Sequence, residues 1–482
     1  MLRPSSLEVE RKPVDIRADS RRVILKPFIP HSTERIRKIL QRVLNLEETL
    51  VEKWLEQVIH EFADRHSQFL QVLKENYRRV AEFIPAGEHL SEKRKYLIGA
   101  YFTHEYSVEA AALFNPSIVP HPDQTNLPHN HLRFILSLRA TGEGHISSIE
   151  FRSGVLDAKN QVKMDDPTPF LLMPRVEQNA HLEKELVKSF LKHSNLPEDM
   201  LQDVIAGMPE SVPLEALKKE LKVRMAQKER RKLLRELEHI RRERFDLKYD
   251  DGIPITERII FPVSEREKNG IEDARFVAFE DEQGIKYYAP YTAYDGQNIC
   301  MKLIETADFL HFKIFPFLGP AVQNKGLALF PHKIGGKFAA VSRQDGESLF
   351  LMYSESLYYW ESARIIRIPN EPWEMIQIGN CGSPIKIKDG WLLLTHGVGP
   401  LRKYVISAFL LDEKDPSRII GALKEPILSP NATEREGYVP NVVYSCGGLV
   451  HQGELILPYA YSDIGAGIAS ISLTRLLNAF VS

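Results

Sequence analysis

Four stretches in the second half of the chain are built alike: residues 276–294 (FVAFEDEQGIKYYAPYTAY), 327–343 (LALFPHKIGGKFAAVSR), 383–398 (SPIKIKDGWLLLTHGV) and 448–463 (GLVHQGELILPYAYSD). Each holds an apolar strand, a turn carrying glycine and a second apolar strand, and their starts lie 51, 56 and 65 residues apart. Steps of that size suit the four-stranded blades of a propeller. Upstream, Leu132, Phe134, Leu136 and Leu138 alternate with Arg133, Ile135, Ser137 and Arg139. A second run at 148–152 follows the turn Thr141-Gly142-Glu143-Gly144, so another hairpin precedes the four. The pattern predicts a mainly β chain folded as a five-bladed β-propeller. A β-sandwich with irregular strands is the alternative.

Two regions break the period of two. Leu50, Val51, Trp54, Leu55, Val58, Ile59 and Phe62, continued by Phe69, Val72, Leu73, Tyr77, Val80 and Ile84, recur at helical spacing. Residues 180–247 return to helix and end in a charged run, 218–245, whose Leu217, Leu221, Met225, Leu233, Leu237 and Ile240 form a thin apolar seam. Glutamates interleave with its lysines and arginines, which favours a solvated helix in an antiparallel pair over a basic arm for an acidic partner. The expected organisation is a helical region at 1–110, a first blade at 111–179, a helical insertion at 180–247 between the first and second blades, and the remaining blades with the catalytic centre at 248–482.

Among 482 residues, 43% are hydrophobic and 27% charged, with a net charge of -2. Such a balance supplies no global field for nucleic acid or an anionic membrane. The stretch MLRPSSLEVERKPVD lacks the apolar core of a secretory signal, and no run approaches the roughly 20 apolar residues of a membrane span. The expectation is a cytoplasmic protein without nucleic-acid or membrane partners, able to form a homo-oligomer through its helical regions. Cys300, Cys381 and Cys446 are too scattered for a disulfide framework or a zinc site. His121, His129, His131 and His145 match no common ligand spacing, so no metal is expected.

The chemistry concentrates in Asn269-Gly270-Ile271-Glu272-Asp273-Ala274-Arg275, ahead of Phe276-Val277, with a second signature at Tyr291-Thr292-Ala293-Tyr294-Asp295-Gly296. Two adjacent carboxylates and an arginine stand at the head of an apolar strand. The stretch resembles the G-I/V-E-D-P-R signature of glycoside hydrolase family 130, a family of mannoside phosphorylases and mannosidases, and departs from it at Ala274, where that family usually has proline. Phe114-Asn115-Pro116-Ser117, Leu136-Ser137-Leu138-Arg139, Asn324-Lys325-Gly326, Val341-Ser342-Arg343, residues 390–398, residues 439–443 and Tyr461-Ser462-Asp463 are similar to the family's other segments in order and spacing. The likeness covers roughly 110–475 and leaves out both helical regions.

The resemblance implies Asp273 as proton donor, its proton reaching the leaving oxygen through a hydroxyl of the bound mannose. Glu272 is then a sugar ligand or a supporting group. It places Asn115, Ser117, Arg139, Arg275, Tyr294 and Asp463 on the sugar. Lys325, Arg343 and His396 fall at the phosphate cradle. Apart from the resemblance, His145 after the hairpin turn is the histidine expected to approach the substrate, Tyr291 and Tyr294 stack on a pyranose face or fill the blades, and Trp391 reads as core. Breaking a glycosidic bond needs a proton for the leaving oxygen and a nucleophile on the opposite face. A water nucleophile needs a carboxylate base, whereas phosphate needs cations, and an arginine fork with a protonatable imidazole suits phosphate oxygens. The expected activity is inverting phosphorolysis of β-linked mannosides to α-mannose 1-phosphate, with inorganic phosphate as co-substrate and no cofactor. Gln377, where phosphorylases tend to carry lysine or arginine, departs from the pattern. Hydrolysis of β-mannosides and a non-catalytic propeller that binds a protein partner are the alternatives.

Overall fold

The computed structural model describes residues 7–194, 196–224 and 227–481. Met225, assigned to the apolar seam, lies outside the described residues. Among those residues the strands form five antiparallel sheets of four or more strands and two small two-stranded ones, so the chain is mainly β.

The sheets follow one another along the chain. The first is centred on Leu132–Thr141 and Ser147–Leu156, the second on Gly284–Tyr294 and Ile299–Thr306, and the third on Phe338–Ser342 and Leu349–Ser354. Gly390–Val398 with Tyr404–Leu411 and Glu454–Tyr461 with Gly465–Ser472 make the fourth and fifth. Between the first two sheets Phe151, Phe276, Phe309 and Phe312 meet edge-to-face or stacked at 5.4 to 6.1 Å. Burial of each such ring contributes about 2 to 3 kcal/mol.

Pairing crosses the boundaries expected from sequence. Arg175–Glu177, expected in the first blade, pairs with Phe245–Lys248 at the outer edge of the second sheet, Asp246 opposite Glu177. Ile259–Ile260 pairs back onto Ser147–Leu156 of the first sheet. The helices Lys184–Lys192, Glu198–Ala206, Leu214–Arg224 and Gln227–Glu243 thus leave from and return to neighbouring strands of the second sheet. Leu186, Leu191, Leu221, Leu233, Leu237 and Ile240 of these helices join a core with Phe315 of the second sheet and Trp360 of the loop between two strands of the third. Glu10–Arg11 and Ile16–Arg17, in the stretch expected to be helical, are strands that pair with Gly465–Ser472.

Val23–Pro27 and Thr103–Ser107 pair as a two-stranded sheet, and between them lie the helices Thr33–Leu44, Glu48–Phe62, Phe69–Val80 and Glu92–Tyr101. Ser32 and Ser91 accept hydrogen bonds from the backbone N–H of Arg35 and Arg94, closing two helix starts. The buried Arg94 donates to the carbonyls of Val43, Leu44 and Leu46 and to Glu48, so one side chain satisfies the end of the first helix from the last. Gly99 sits where a Cβ would lie 1.9 Å from the Leu73 carbonyl oxygen, which lets two helices cross. Below this bundle Arg22, Glu109, Glu150 and Arg152 form a buried quartet with contacts of 2.7 to 3.2 Å. Loss of one member of such a set strands the opposite charge.

Candidate active site

The end strand of each large sheet turns toward one polar cavity of about 170 Å³. Asn115 comes from Ala112–Pro120, Asp273 and Arg275 follow Ile271–Glu272, and Lys325 precedes Ala328–Leu329. Asn380 lies on Gln377–Asn380 and Tyr444 on Val443–Tyr444. Among the lining residues Asn115, Asp273, Arg402 and Asp463 have positive φ, between 50° and 57°. Asn and Asp tolerate the left-handed region better than most residues, and such conformations concentrate at functional sites.

Asp273 is buried, with φ 55°, at the end of a strand paired Ile271 to Ala293 and Glu272 to Thr292. A register shift between Phe114 and Ser117 swings Asn115 out of its ladder, and its Nδ2 donates to Asp273 Oδ1 at 2.8 Å. Burial pushes the Asp273 carboxyl up, but Arg139, Arg275 and Lys325 with the Asn115 bond outweigh it and hold it below its ordinary range. Arg139 Nη1 stands 3.7 Å from Asp273 Oδ1. Glu272 bridges two cations, accepting from Arg139 Nη2 at 2.8 Å and from Lys325 Nζ at 3.4 Å.

Arg275 is 2% exposed and donates through Nη2 to the Tyr444 hydroxyl at 2.7 Å. Its buried Nε and Nη1 have no hydrogen-bond partner among the described residues. Arg343 and His396 face the same space, and both are packed against Gly379, where a Cβ would lie 2.6 Å from His396 Cε1 and 3.2 Å from Arg343 Cδ. Gln377 Nε2 also reaches His396 Nε2, at 3.2 Å. The imidazole, expected to be protonatable, is instead held neutral: burial first, then Arg343 and Arg275, push it well below its ordinary value. Arg139, Arg275, Lys325, Arg343 and Arg402 outnumber Glu272, Asp273 and Asp463 around this space, which favours an anionic ligand.

Asp463 lines the cavity, and burial together with Asp273 and Glu272 pushes its carboxyl up to about 6 against the pull of Arg139 and Arg402. Other expected site residues lie outside the lining. Ser117 is fully buried, and its Oγ accepts from the Phe276 N–H at 3.1 Å, tying the first sheet to the second. Tyr294 is half-exposed beyond the cavity, its hydroxyl donating to the Gly296 carbonyl. Arg139 and Glu272 are also outside the lining and reach it through Arg139's contact with Asp273 and Glu272's with Lys325. Trp391 is buried in the fourth sheet and donates to the Glu413 carbonyl, and Tyr291 donates to Glu267. Asn380, Arg402, Tyr404 and Tyr444 also line the cavity and were not singled out from sequence. Tyr444 directly follows the 439–443 segment. Arg402 lies in the turn that Gly399-Pro400 opens, where Leu401 and Arg402 both take φ 57°. Among the described residues no group of His, Cys, Asp and Glu is arranged to hold a metal, and no helix is long and apolar enough to cross a membrane.

Comparison with known proteins bears on this geometry. A family model described as β-1,4-mannooligosaccharide phosphorylase matches residues 246–481. A 1,2-β-oligomannan phosphorylase of Thermoanaerobacter sp. (strain X514) is 36% identical over 218 residues, 44% of this chain and 71% of that one. A β-1,2-mannobiose phosphorylase of the same strain is 36% identical over 213 residues, 43% and 68%. Among solved structures, the Listeria innocua β-1,2-mannobiose phosphorylase in complex with β-1,2-mannobiose aligns at 20% identity with a TM-score of 0.45, over 77% of this chain and 92% of that one.

Proposed function

Because this chain belongs to glycoside hydrolase family 130, we propose that it is an inverting phosphorylase of β-linked mannosides that releases α-mannose 1-phosphate. The observation that carries the reading is that Arg275, Lys325 and Arg343 line one cavity together. Guanidinium and ammonium groups gathered on one wall suit the oxygens of a phosphate anion. Lys325, Arg343 and Arg275 hold the phosphate, and neutral His396 accepts from Arg343 through Nε2 and keeps that guanidinium in place. Asn115, Arg139 and Asp463 hold the mannosyl unit, with Glu272 keeping Arg139 and Lys325 in place. Ser117 supports the wall, and Tyr294 meets substrate only beyond the cavity.

In the reaction a phosphate oxygen bonds to C1 of the mannosyl unit from the face opposite the leaving sugar, the C1–O bond breaks, and a proton originating at Asp273 ends on the leaving oxygen. Alone, Asp273 is held ionised by the cations around it. Bound phosphate neutralises Lys325 and Arg275, their grip on the carboxylate weakens, and Asp273 can hold the proton it must give. The co-substrate thereby arms the acid, which disfavours turnover by water in its absence.

The fold belongs to the same reading. Five successive antiparallel sheets whose end strands share one cavity support a five-bladed β-propeller. Residues 111–179 and 248–482 supply most of its strands and exchange edge strands, 10–17 and 245–247 add strands to the fifth and second sheets, and the rest of 1–110 and 180–247 carries the helical additions. The deciding experiment incubates the protein with β-1,2- and β-1,4-linked manno-oligosaccharides with and without phosphate. Mannose 1-phosphate formed only when phosphate is present supports the reading. Free mannose at the same rate without phosphate replaces it with hydrolysis, and no product from any of them points to a non-catalytic propeller.

A further inference from the structure

We propose that Lys302 is a positioning residue that joins the helices of 184–243 to the strand bearing Asp273; this rests on Asp273 being the proton donor. Lys302 lies on Ile299–Thr306 with its side chain fully buried. Its Nζ donates to Glu243 Oε2 at 3.1 Å and to Ser264 Oγ at 3.3 Å, and it forms an ion pair with Glu267 Oε1 at 3.0 Å. Glu243 is the last residue of the helix Gln227–Glu243, and it also accepts from Ser264 Oγ at 2.6 Å. The Phe245 ring, 4.6 Å from Nζ, closes the site on another side.

Glu267 carries the link onward. Its Oε2 accepts from the backbone N–H of Val263 and Ser264, both at 2.9 Å, and its Oε1 takes the Tyr291 hydroxyl. Its carbonyl accepts from the Gly270 N–H at 2.7 Å. Gly270 has φ 123° and lies where a Cβ would be 2.8 Å from the Ser147 nitrogen, so this turn has one tight seat. Asn269 and Tyr294 then exchange backbone bonds with the turn at 3.0 Å, and Ile271-Glu272-Asp273 follows without a break. The turn's position is therefore fixed by Glu267, and Glu267 by Lys302. One ammonium holds two buried carboxylates from separate segments, so its removal leaves both uncompensated and frees the turn.

The test compares Lys302→Met, Lys302→Arg and the milder Glu243→Gln with the wild type. We measure kcat and KM for phosphate and mannoside per folded molecule, and amide hydrogen exchange across 268–275. Lys302→Met should lower kcat ten- to a hundredfold with KM for phosphate changed less than about twofold, since misplacement of the acid acts on the chemical step. Lys302→Arg should restore part of the loss, and exchange at 268–275 should rise in Lys302→Met and Glu243→Gln while the fourth sheet stays protected. Wild-type kcat in folded Lys302→Met, or unchanged exchange at 268–275 in both variants, overturns the proposal. If the wild type shows no phosphorolysis, the functional reading fails, and exchange alone then decides whether Lys302 seats this strand. Should Lys302→Met not fold, Glu243→Gln carries the same two readouts.

Discussion

Arg343 and His396 stand 3.4 Å apart, guanidinium Nη1 to imidazole Nε2. A guanidinium only donates, so Nε2 must accept, and the ring proton sits on Nδ1. Nitrogen-15 NMR of the histidine rings should therefore find His396 Nε2 unprotonated throughout the folded pH range. A His396 titration near its ordinary value would remove the neutral imidazole from the site.

Asp273→Asn should lower kcat about 10²- to 10⁴-fold, the range expected for loss of a general acid. Asn is at home at φ 55° and keeps the approximate volume, so the fold should be kept, with some stability lost because the surrounding cations favour the carboxylate it replaces. Normal turnover in the variant would mean that the proton comes from elsewhere.

Gly379→Ala tests the anion cradle with one methyl. The new Cβ lands on the His396 ring and the Arg343 side chain. Crowding of this kind costs about 1 to 3 kcal/mol. KM for phosphate should rise about tenfold, more than KM for the mannoside. Equal effects on both would place the phosphate away from Arg343 and His396.

Asp463 sets a pH dependence of stability. Its carboxyl is pushed up to about 6, above its value in the unfolded chain. Below about pH 4 both states carry the proton and the group has no effect; as pH rises through about 6 the folded state must bury a carboxylate near two others, and stability falls. Asp463→Asn removes the term, so chemical denaturation should find it more stable than the wild type above pH 6, by up to about 3 kcal/mol, and equal to it at pH 4. A constant difference across that range would contradict the assignment.

Much of the sheet region was legible because each hairpin carries its own alternation and glycine turn. The runs at 276, 327, 383 and 448 fall in successive sheets for that reason. Where strands are two or three residues long, as at 10–11, 16–17, 175–177 and 259–260, no periodicity can accumulate, and pairing partners far away in sequence decide the register. The cavity followed the same division. Asp273, Lys325, Arg343 and His396 stand in patterned segments and line it together, whereas Arg402 and Tyr404 reach it from the turn after Gly399-Pro400 and from the start of the following strand, where nothing in sequence points inward. The charge state of His396 was beyond sequence, because it depends on burial and on guanidiniums from two other sheets.

Glu10 pairs with Ser470 and Ile16 with Ala466, and Arg11 grips Glu434 at 2.8 Å. These strands are therefore made more than 400 residues before the strand they pair with. Contacts that span most of the chain form late and slowly, since a long loop must close before they reward the closure. During synthesis the fifth sheet stays open while the first four can already fold, and its unpaired edge is the surface at which nascent chains of this protein are most prone to capture one another.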